Sequence, residues 1–556
     1  MATLNNDDGV RETSPGRWKM KLIRPVQREK FPPCRANCPS GTDIRGWIAK
    51  ISQRDKLGLG KEEAFKQAWL HLVVFNPLPS VLGRVCTHTC EMRCNRIDKD
   101  EGVSIHTMER FIGDWALDQR LALPCEEAKG EHQSIGVIGS GPAGLSFAYQ
   151  MARRGHSVII YEQHSKAGGM LRYGIPKYRL PRKILDGEIE RIVDLGVEIQ
   201  TSTKVGLDIS VSELKERHST LFVGIGADKP RRMEIPGEDG PGVLAGTNFL
   251  YRVNQGHNVD PGRKVVVIGG GNTAIDSARA ARRLGANVTI LYRRTREEMP
   301  AVEEEIEESL AEGIEFHFLA APAAVLRDGS KIKALQVQKM TLGEVDESGR
   351  RRPLPVEDGL YEVPATTVIA AVSQTPDWGE LEALKPEGNE LEVDACGNFG
   401  EGTWTGGDTL GLGTVSRAIG HGRKAAEAVL AKLCVSTSGT LTNSAFITDK
   451  TMHLDYYASY LQIGDSVRPL DQWLSKPNEE IHRGITEEQF LKEASRCLSC
   501  GYCFGCEQCW MFCNPGAYTR NEYSSPGAYF TFNESICEGC GKCIEVCPSG
   551  FLSSAT

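Results

Sequence analysis

Eighteen cysteines are distributed very unevenly along the 556 residues. Cys34, Cys38, Cys86, Cys90 and Cys94 form one group, and ten more lie between Cys497 and Cys547. Cys125, Cys396 and Cys434 stand alone and read as ordinary small side chains. Clustered thiols in a reducing compartment read as metal ligands rather than disulfides. The run Cys503-x2-Cys506-x2-Cys509-x3-Cys513 is repeated as Cys537-x2-Cys540-x2-Cys543-x3-Cys547-Pro548. This is the spacing of a bacterial two-cluster ferredoxin, in which the fourth cysteine of each run ligates the other cluster. One [4Fe–4S] cluster is therefore expected on Cys503, Cys506, Cys509 and Cys547, the other on Cys537, Cys540, Cys543 and Cys513. Zinc also takes thiolate tetrads, but two overlapping runs of this type favour iron–sulfur clusters. Seven clustered cysteines remain, Cys34, Cys38, Cys86, Cys90, Cys94, Cys497 and Cys500, one short of two further clusters. Glu109, His88 and Glu91 are the nearby non-cysteine candidates, and the spacing does not choose among them.

Two glycine-rich turns carry a second chemistry. In Ser134-Ile-Gly-Val-Ile-Gly139-Ser-Gly141-Pro-Ala-Gly144-Leu a strand runs into a helix. Gly139 makes the turn, Gly141 admits a pyrophosphate to the backbone, and Gly144 lets helix and strand pack closely. The next strand, 157–161, ends at Glu162, where an acid binds a ribose hydroxyl. The second turn is Lys264-Val-Val-Val-Ile-Gly269-Gly-Gly271-Asn272-Thr273-Ala274-Ile-Asp276, with the permitted alanine in third place. Its next strand, 287–291, ends in Tyr292-Arg293-Arg294 instead of an acid. Guanidinium groups there accommodate a ribose 2′-phosphate, which favours NADP(H) over NAD(H). A solvated basic turn would leave NAD usable. Further on, Asp408 and the helix after Gly413 could serve the other half of the first nucleotide.

These motifs need elements to position them. The expected organisation is α/β. A helical N-terminal iron–sulfur domain (1–128) precedes two Rossmann-like domains of the glutathione-reductase kind. The first takes residues 129–250 and 366–434, the second 251–365. A linking or wrapping segment (435–495) leads to a ferredoxin-like domain (496–556). A hydrophobic content of 40% and a charged content of 25% are those of a soluble globular protein. The net charge of −8 argues against nucleic acid as a partner. No apolar run is long enough for a membrane span, and Met1–Asp8 lacks a signal-peptide core. A cytoplasmic location is expected.

From about residue 34 to 430 the chain resembles the small subunit of bacterial glutamate synthase and the matching part of dihydropyrimidine dehydrogenase. The resemblance is carried by Cys34-Arg-Ala-Asn-Cys38-Pro, Gly83-Arg-Val-Cys86, Gly139–Leu145, Gly168-Gly-Met-Leu-Arg-Tyr-Gly-Ile-Pro176, Gly269–Asp276, Tyr292-Arg-Arg-Thr-Arg-Glu-Glu-Met-Pro300 and Gly407-Asp408. It implies FAD at the first fold, along Glu162, Gly169, Arg172, Asp408 and Val415, and NADP(H) or NAD(H) at the second. That family has a Cys-x2-Cys pair just before the position of Cys34, and here it is absent. A matching stretch, Glu493-Ala-Ser-Arg-Cys497-Leu-Ser-Cys500-Gly, stands near the other end. The resemblance implies that Cys497 and Cys500 fold back to join Cys34 and Cys94, and that Cys38, Cys86 and Cys90 take Glu109 as fourth ligand. Four [4Fe–4S] clusters result.

Flavoproteins of this layout with a fused ferredoxin are similar to the DsrL type, associated with dissimilatory sulfite reductase in sulfur-oxidising bacteria; others serve formate dehydrogenases or pyruvate oxidoreductases. The expected activity is hydride exchange between nicotinamide and FAD, with single electrons passing to or from a redox protein partner, either dissimilatory sulfite reductase or a ferredoxin-type acceptor. A homodimer contact is expected within 440–490. No conventional acid–base or nucleophilic set stands out, so no catalytic residue is nominated. Residues 163–180 contain no cysteine, which disfavours a disulfide reductase. Two other readings share these motifs: a glutamate synthase small subunit feeding an amidotransferase subunit, and a non-catalytic electron-wire subunit.

Overall fold

The computed structural model describes residues 22–126, 133–346, 349–385, 391–400, 402–433 and 445–554. Cys434, the terminal Met1–Asp8 and the Ser/Thr/Gly-rich start of the wrapping segment lie outside them. A helical layer comes first, built from Ile44–Ser52, Lys61–Val73, Pro79–Val85 and Ile105–Asp118. Two of these helices cross at glycine. A Cβ on Gly83 would lie 2.3 Å from the backbone nitrogen of Arg110, and one on Gly113 would lie 2.4 Å from that of Ser80. This close approach sets Cys86, at the end of one helix, beside Glu109 on the other. Pro79–Val85 starts with proline, and the buried Glu188 carboxylate accepts from its first amides, Ser80 (2.9 Å) and Val81 (3.0 Å). Glu188 lies on Arg182–Val193 of the first nucleotide fold, so this cap also ties the helical layer to that fold.

The first nucleotide sheet has six strands in the order Asn398–Gly400, Thr403–Thr405, Thr220–Val223, Ser134–Ile138, Ser157–Tyr161, Glu198–Gln200, parallel except at the first pair. The second has five parallel strands in the order Glu315–Phe318, Asn287–Tyr292, Lys264–Ile268, Thr367–Ala370, Val243–Ala245. Strands Val243–Ala245 and Thr367–Ala370 thus belong to the second sheet, outside the expected 251–365. The reason is topological. A parallel sheet is completed by crossover and return strands, and Val243-Leu-Ala is too short to show any periodicity in sequence. The antiparallel strands Ala320–Asp328, Lys331–Val345 and Arg351–Pro364 form a separate three-stranded sheet beside it.

Residues 445–495 wrap the preceding layers. Ile447 donates to Phe31 and Ile481 to Tyr178, and the Ile463 carbonyl accepts from Ser104. Helix Glu487–Ser495, with a Thr486/Gln489 capping box, packs on Ile44–Ser52 and Ile105–Asp118. At the far end, strand Pro25–Gln27 pairs antiparallel with Leu552–Ser554. Pro25–Gln27 is therefore a strand of the ferredoxin-like unit. That unit also holds the hairpin Tyr518–Ser525/Ala528–Phe532 and the short helices Gln508–Met511 and Lys542–Glu545.

Candidate active site and iron–sulfur centres

At the first nucleotide turn, packing explains two of the three glycines. A Cβ on Gly139 would meet the Gly224 carbonyl oxygen at 2.5 Å, and one on Gly144 the Gly139 oxygen at 2.1 Å. A Cβ on Gly141 would meet no protein atom within 4 Å. The space above Gly141 suits a pyrophosphate at the start of helix Pro142–Ala152. Glu162 is 3% exposed. Its carboxylate accepts from the Ser140 amide (3.0 Å) and the His164 amide (2.8 Å), which fixes it at the strand end. Ser140, unremarked in the motif because its position tolerates many residues, also accepts from Gly168 through its hydroxyl (3.0 Å). This draws the Gly168–Gly169 turn onto the site. Arg172 is buried on Met170–Tyr173, where it donates to the Ala167 carbonyl and pairs with Asp186. Asp408 accepts from Gly413 (2.9 Å), and burial raises its carboxyl. Val415 opens helix Val415–Leu433, the helix expected after Gly413.

The second turn repeats the geometry. Gly269 is held against the Ala371 carbonyl, Gly271 has only Pro300 near, at 3.9 Å, and Ala274 is fully buried. Asn272 and Thr273 begin helix Asn272–Arg283, and Asn272 accepts from Val302 (3.1 Å). The two arginines part company. Arg294 is 3% exposed and is bound to Asp346 (2.7 Å) and to the Arg351 carbonyl (2.7 Å). Arg293 is exposed, with no ion pair among the described residues. Arg296 pairs with Glu303 and Glu307. The two folds are joined by Arg179, which donates to both Asp276 oxygens (2.8 and 2.9 Å) and pairs with Glu305 (2.6 Å).

The cysteines come together in four sets. One cavity is lined by Cys34, Cys94, Cys497 and Cys500, with Ile44, Arg45 and Ile48. Another is lined by Cys503, Cys506, Cys509 and Cys547, with Phe504, Phe530 and Phe551. Cys543 is raised by burial and by the charges of Cys513, Cys537 and Cys540, which surround it. Cys86 is pushed up to about 12, chiefly by burial, then by the charge of neighbouring Glu109, with Cys38 also contributing. Cys90 is raised by burial and by Glu91, Cys86 and Cys38. Buried thiols of this kind become thiolates at neutral pH only beside a cation. The donor sets therefore fit thiolate-bound iron.

The non-cysteine candidates separate. Glu91 is taken by His106, whose amide (2.7 Å) and Nδ1 (2.8 Å) bond its carboxylate. His88 stacks on His106 at 4.3 Å, and its buried Nδ1 has no partner among the described residues. Glu109 accepts from Asn76 (2.7 Å), and burial pushes its carboxyl up to about 7. Of the three, Glu109 is the one whose charge acts on Cys86. Ser416 lies near enough to Cys86 to lower its thiol, so this set neighbours the helix that starts at Val415. Glu304, Glu308 and His482 also cluster, but His482 bonds carboxylates through both ring nitrogens, which leaves it no lone pair for a metal.

Residues 133–422 match the model of the pyridine nucleotide-disulphide oxidoreductase family. Residues 24–121 match the 4Fe-4S domain II of dihydropyrimidine dehydrogenase, and residues 502–551 a 4Fe-4S dicluster domain. The beta subunit of NADP(+)-dependent formate dehydrogenase from Moorella thermoacetica is 35% identical over 84% of this chain and 70% of its own. The beta subunit of NADPH-Fe(3+) oxidoreductase from Geobacter sulfurreducens is 35% identical over 84% of this chain and 75% of its own. The glutamate synthase [NADPH] small chain of Azospirillum brasilense is 32% identical over 72% of this chain and 86% of its own. The chain belongs to the pyridine nucleotide-disulphide oxidoreductase family, with a 4Fe-4S domain before that fold and a 4Fe-4S dicluster domain after it.

Proposed function

We propose that this protein is an iron–sulfur flavoprotein that moves electrons between NADPH and a one-electron redox protein through four [4Fe–4S] clusters. The observation that carries this reading is the continuity of the thiol sets. Cys86 neighbours Ser416 of the first nucleotide fold. Cys34 and Cys38 share one turn, and Cys500 and Cys503 are separated only by Gly501 and Tyr502. At the far end Cys540 is exposed. Bound FAD supplies the exchange between a two-electron hydride and single electrons. Gly141 and the following helix would hold its pyrophosphate, Glu162 its ribose, and Asp408 with Val415 its other half. Gly271 and the helix from Asn272 would hold the nicotinamide dinucleotide, with Arg293, exposed and without an ion pair among the described residues, as the cation for a 2′-phosphate. Arg179, bound to Asp276, holds the two nucleotide folds in fixed register. Cys38, Cys86, Cys90 and Glu109 would hold the cluster nearest the flavin.

For the partner we propose a one-electron redox protein, either dissimilatory sulfite reductase or a ferredoxin-type acceptor, supported by the fused dicluster unit and the displaced Cys497/Cys500 pair. Both features argue against a plain glutamate synthase small subunit. A homodimer contact on the wrapping segment is supported by exposed Tyr460, Leu461, Val467 and Leu470. A cytoplasmic location is supported by cysteines that, among the described residues, gather in ligand sets rather than disulfide pairs. Among those residues no helix is long and apolar enough to cross a membrane.

Anaerobic addition of NADPH tests the proposal. Flavin absorbance should bleach, and paramagnetic reduced clusters should follow. Bound FAD that fails to bleach overturns it.

A further inference from the structure

The cavity of Cys34, Cys94, Cys497 and Cys500 contains one buried cation, Arg45. Its side chain is 2% exposed. It sits on helix Ile44–Ser52, where Asp43 caps the first turn by accepting from Gly46. Most of its donors are spent. Nη1 donates to the Lys30 carbonyl (2.8 Å) and the Cys500 carbonyl (2.6 Å), and Nη2 pairs with Glu29. The guanidinium also lies 4.4 Å from the centre of the Tyr502 ring. Its Nε–H is different: it is buried and has no partner among the described residues. A buried charged donor left open costs stability unless something accepts from it. The thiol-lined space is where an acceptor belongs, since cluster sulfurs are anionic.

We propose that Arg45 donates from Nε to the cluster held by Cys34, Cys94, Cys497 and Cys500 and raises its reduction potential. The proposal rests on the four-cluster reading above. Hydrogen bonds to sulfur and net local charge both set such potentials, and a fixed cation favours the reduced, more negative state. The position gives this an effect on electron flow. Cys500 and Tyr502 both touch Arg45, and Cys503 of the next set follows directly. A raised potential here makes the cluster a sink at the junction between the N-terminal and C-terminal centres. Glu29 is the natural brake. Its side chain is 51% exposed, and it offsets part of the Arg45 charge.

The test is an anaerobic redox titration of the full-length holoprotein, followed by electron paramagnetic resonance, with iron content measured alongside. Glu29→Gln leaves Arg45 in place and removes its counter-charge. One cluster of four should become easier to reduce, by about tenfold in its reduced-to-oxidised ratio at fixed potential. Arg45→Gln should shift the same cluster the opposite way, with iron unchanged. If Arg45→Gln does not fold, Glu29→Gln decides alone, because its side chain is half exposed. No shift in Glu29→Gln, or a shift toward harder reduction, overturns the role of Arg45. A wild-type titration that resolves fewer than four clusters overturns the underlying reading instead.

Discussion

Single residues decide how the centres are filled. Cys497 and Cys500 line a cavity with Cys34 and Cys94, although more than 400 positions separate them from those partners. Replacing both by serine should remove one cluster and lower iron per chain by about a quarter. Unchanged iron by chemical assay would refute the assignment. Arg293 makes a sharper case than its neighbour. Arg294 is held by Asp346, whereas Arg293 is exposed and has no ion pair among the described residues, so Arg293 is the one proposed to meet a 2′-phosphate. Arg293→Ala should raise KM for NADPH by about tenfold or more, with little change for NADH, since only the former loses a charge-assisted contact. Steady-state kinetics with the two nucleotides checks it.

Elements fix the distances between those residues. The crossing of Pro79–Val85 with Ile105–Asp118 depends on glycine at the contact, and it sets Cys86 beside Glu109. Gly83→Ala would gain helix propensity but drive a methyl to 2.3 Å from the Arg110 nitrogen. Overpacking should win, lowering stability by about 1–3 kcal/mol and loosening the cluster nearest the flavin. Thermal unfolding and iron content report both effects. The wrapping segment has its own fastening. His482 bonds Glu308 (2.7 Å) and Asp465 (3.1 Å), and Asp465 also reaches Arg110. Burial opposes the His482 charge, but these carboxylates overcome it and hold the imidazolium up to about 10, from an ordinary 6.5. Because the folded value is raised, this stabilisation is complete below about pH 6.5 and is lost as pH rises through about 10. His482→Gln should therefore cost about 2 kcal/mol near pH 6, with the gap to the parent closing toward pH 10. Chemical denaturation across that range reads it directly.

For the whole molecule, the two ends form one electron-transfer body rather than two modules. Pro25–Gln27 pairs with Leu552–Ser554, and Cys497 and Cys500 share a cavity with Cys34 and Cys94. A chain ended near residue 433 should therefore lose three of the four expected clusters, not the two of the ferredoxin-like unit alone. Iron and acid-labile sulfide per flavin give the count.

The sequence by itself determined the chemistry. Cys-x2-Cys-x2-Cys-x3-Cys and G-x-G-x-x-G/A are local patterns, because a cubane corner or a pyrophosphate is gripped within one turn of chain. Glu162 at a strand end and the helices of the N-terminal layer were legible for the same reason: their periods are short. Tertiary structure decided what depends on distant backbone. It drew Val243–Ala245 and Thr367–Ala370 into the second sheet, since strand partners are chosen by topology. It separated Arg293 from Arg294, adjacent residues of one type, because Arg294 is buried in a salt bridge with Asp346 while Arg293 is exposed. It distinguished Glu109 from Glu91 through a glycine crossing and a competing histidine. It also turned Arg45, one arginine among many in the sequence, into a buried cation with an open donor, a property that exists only once the chain has closed around it.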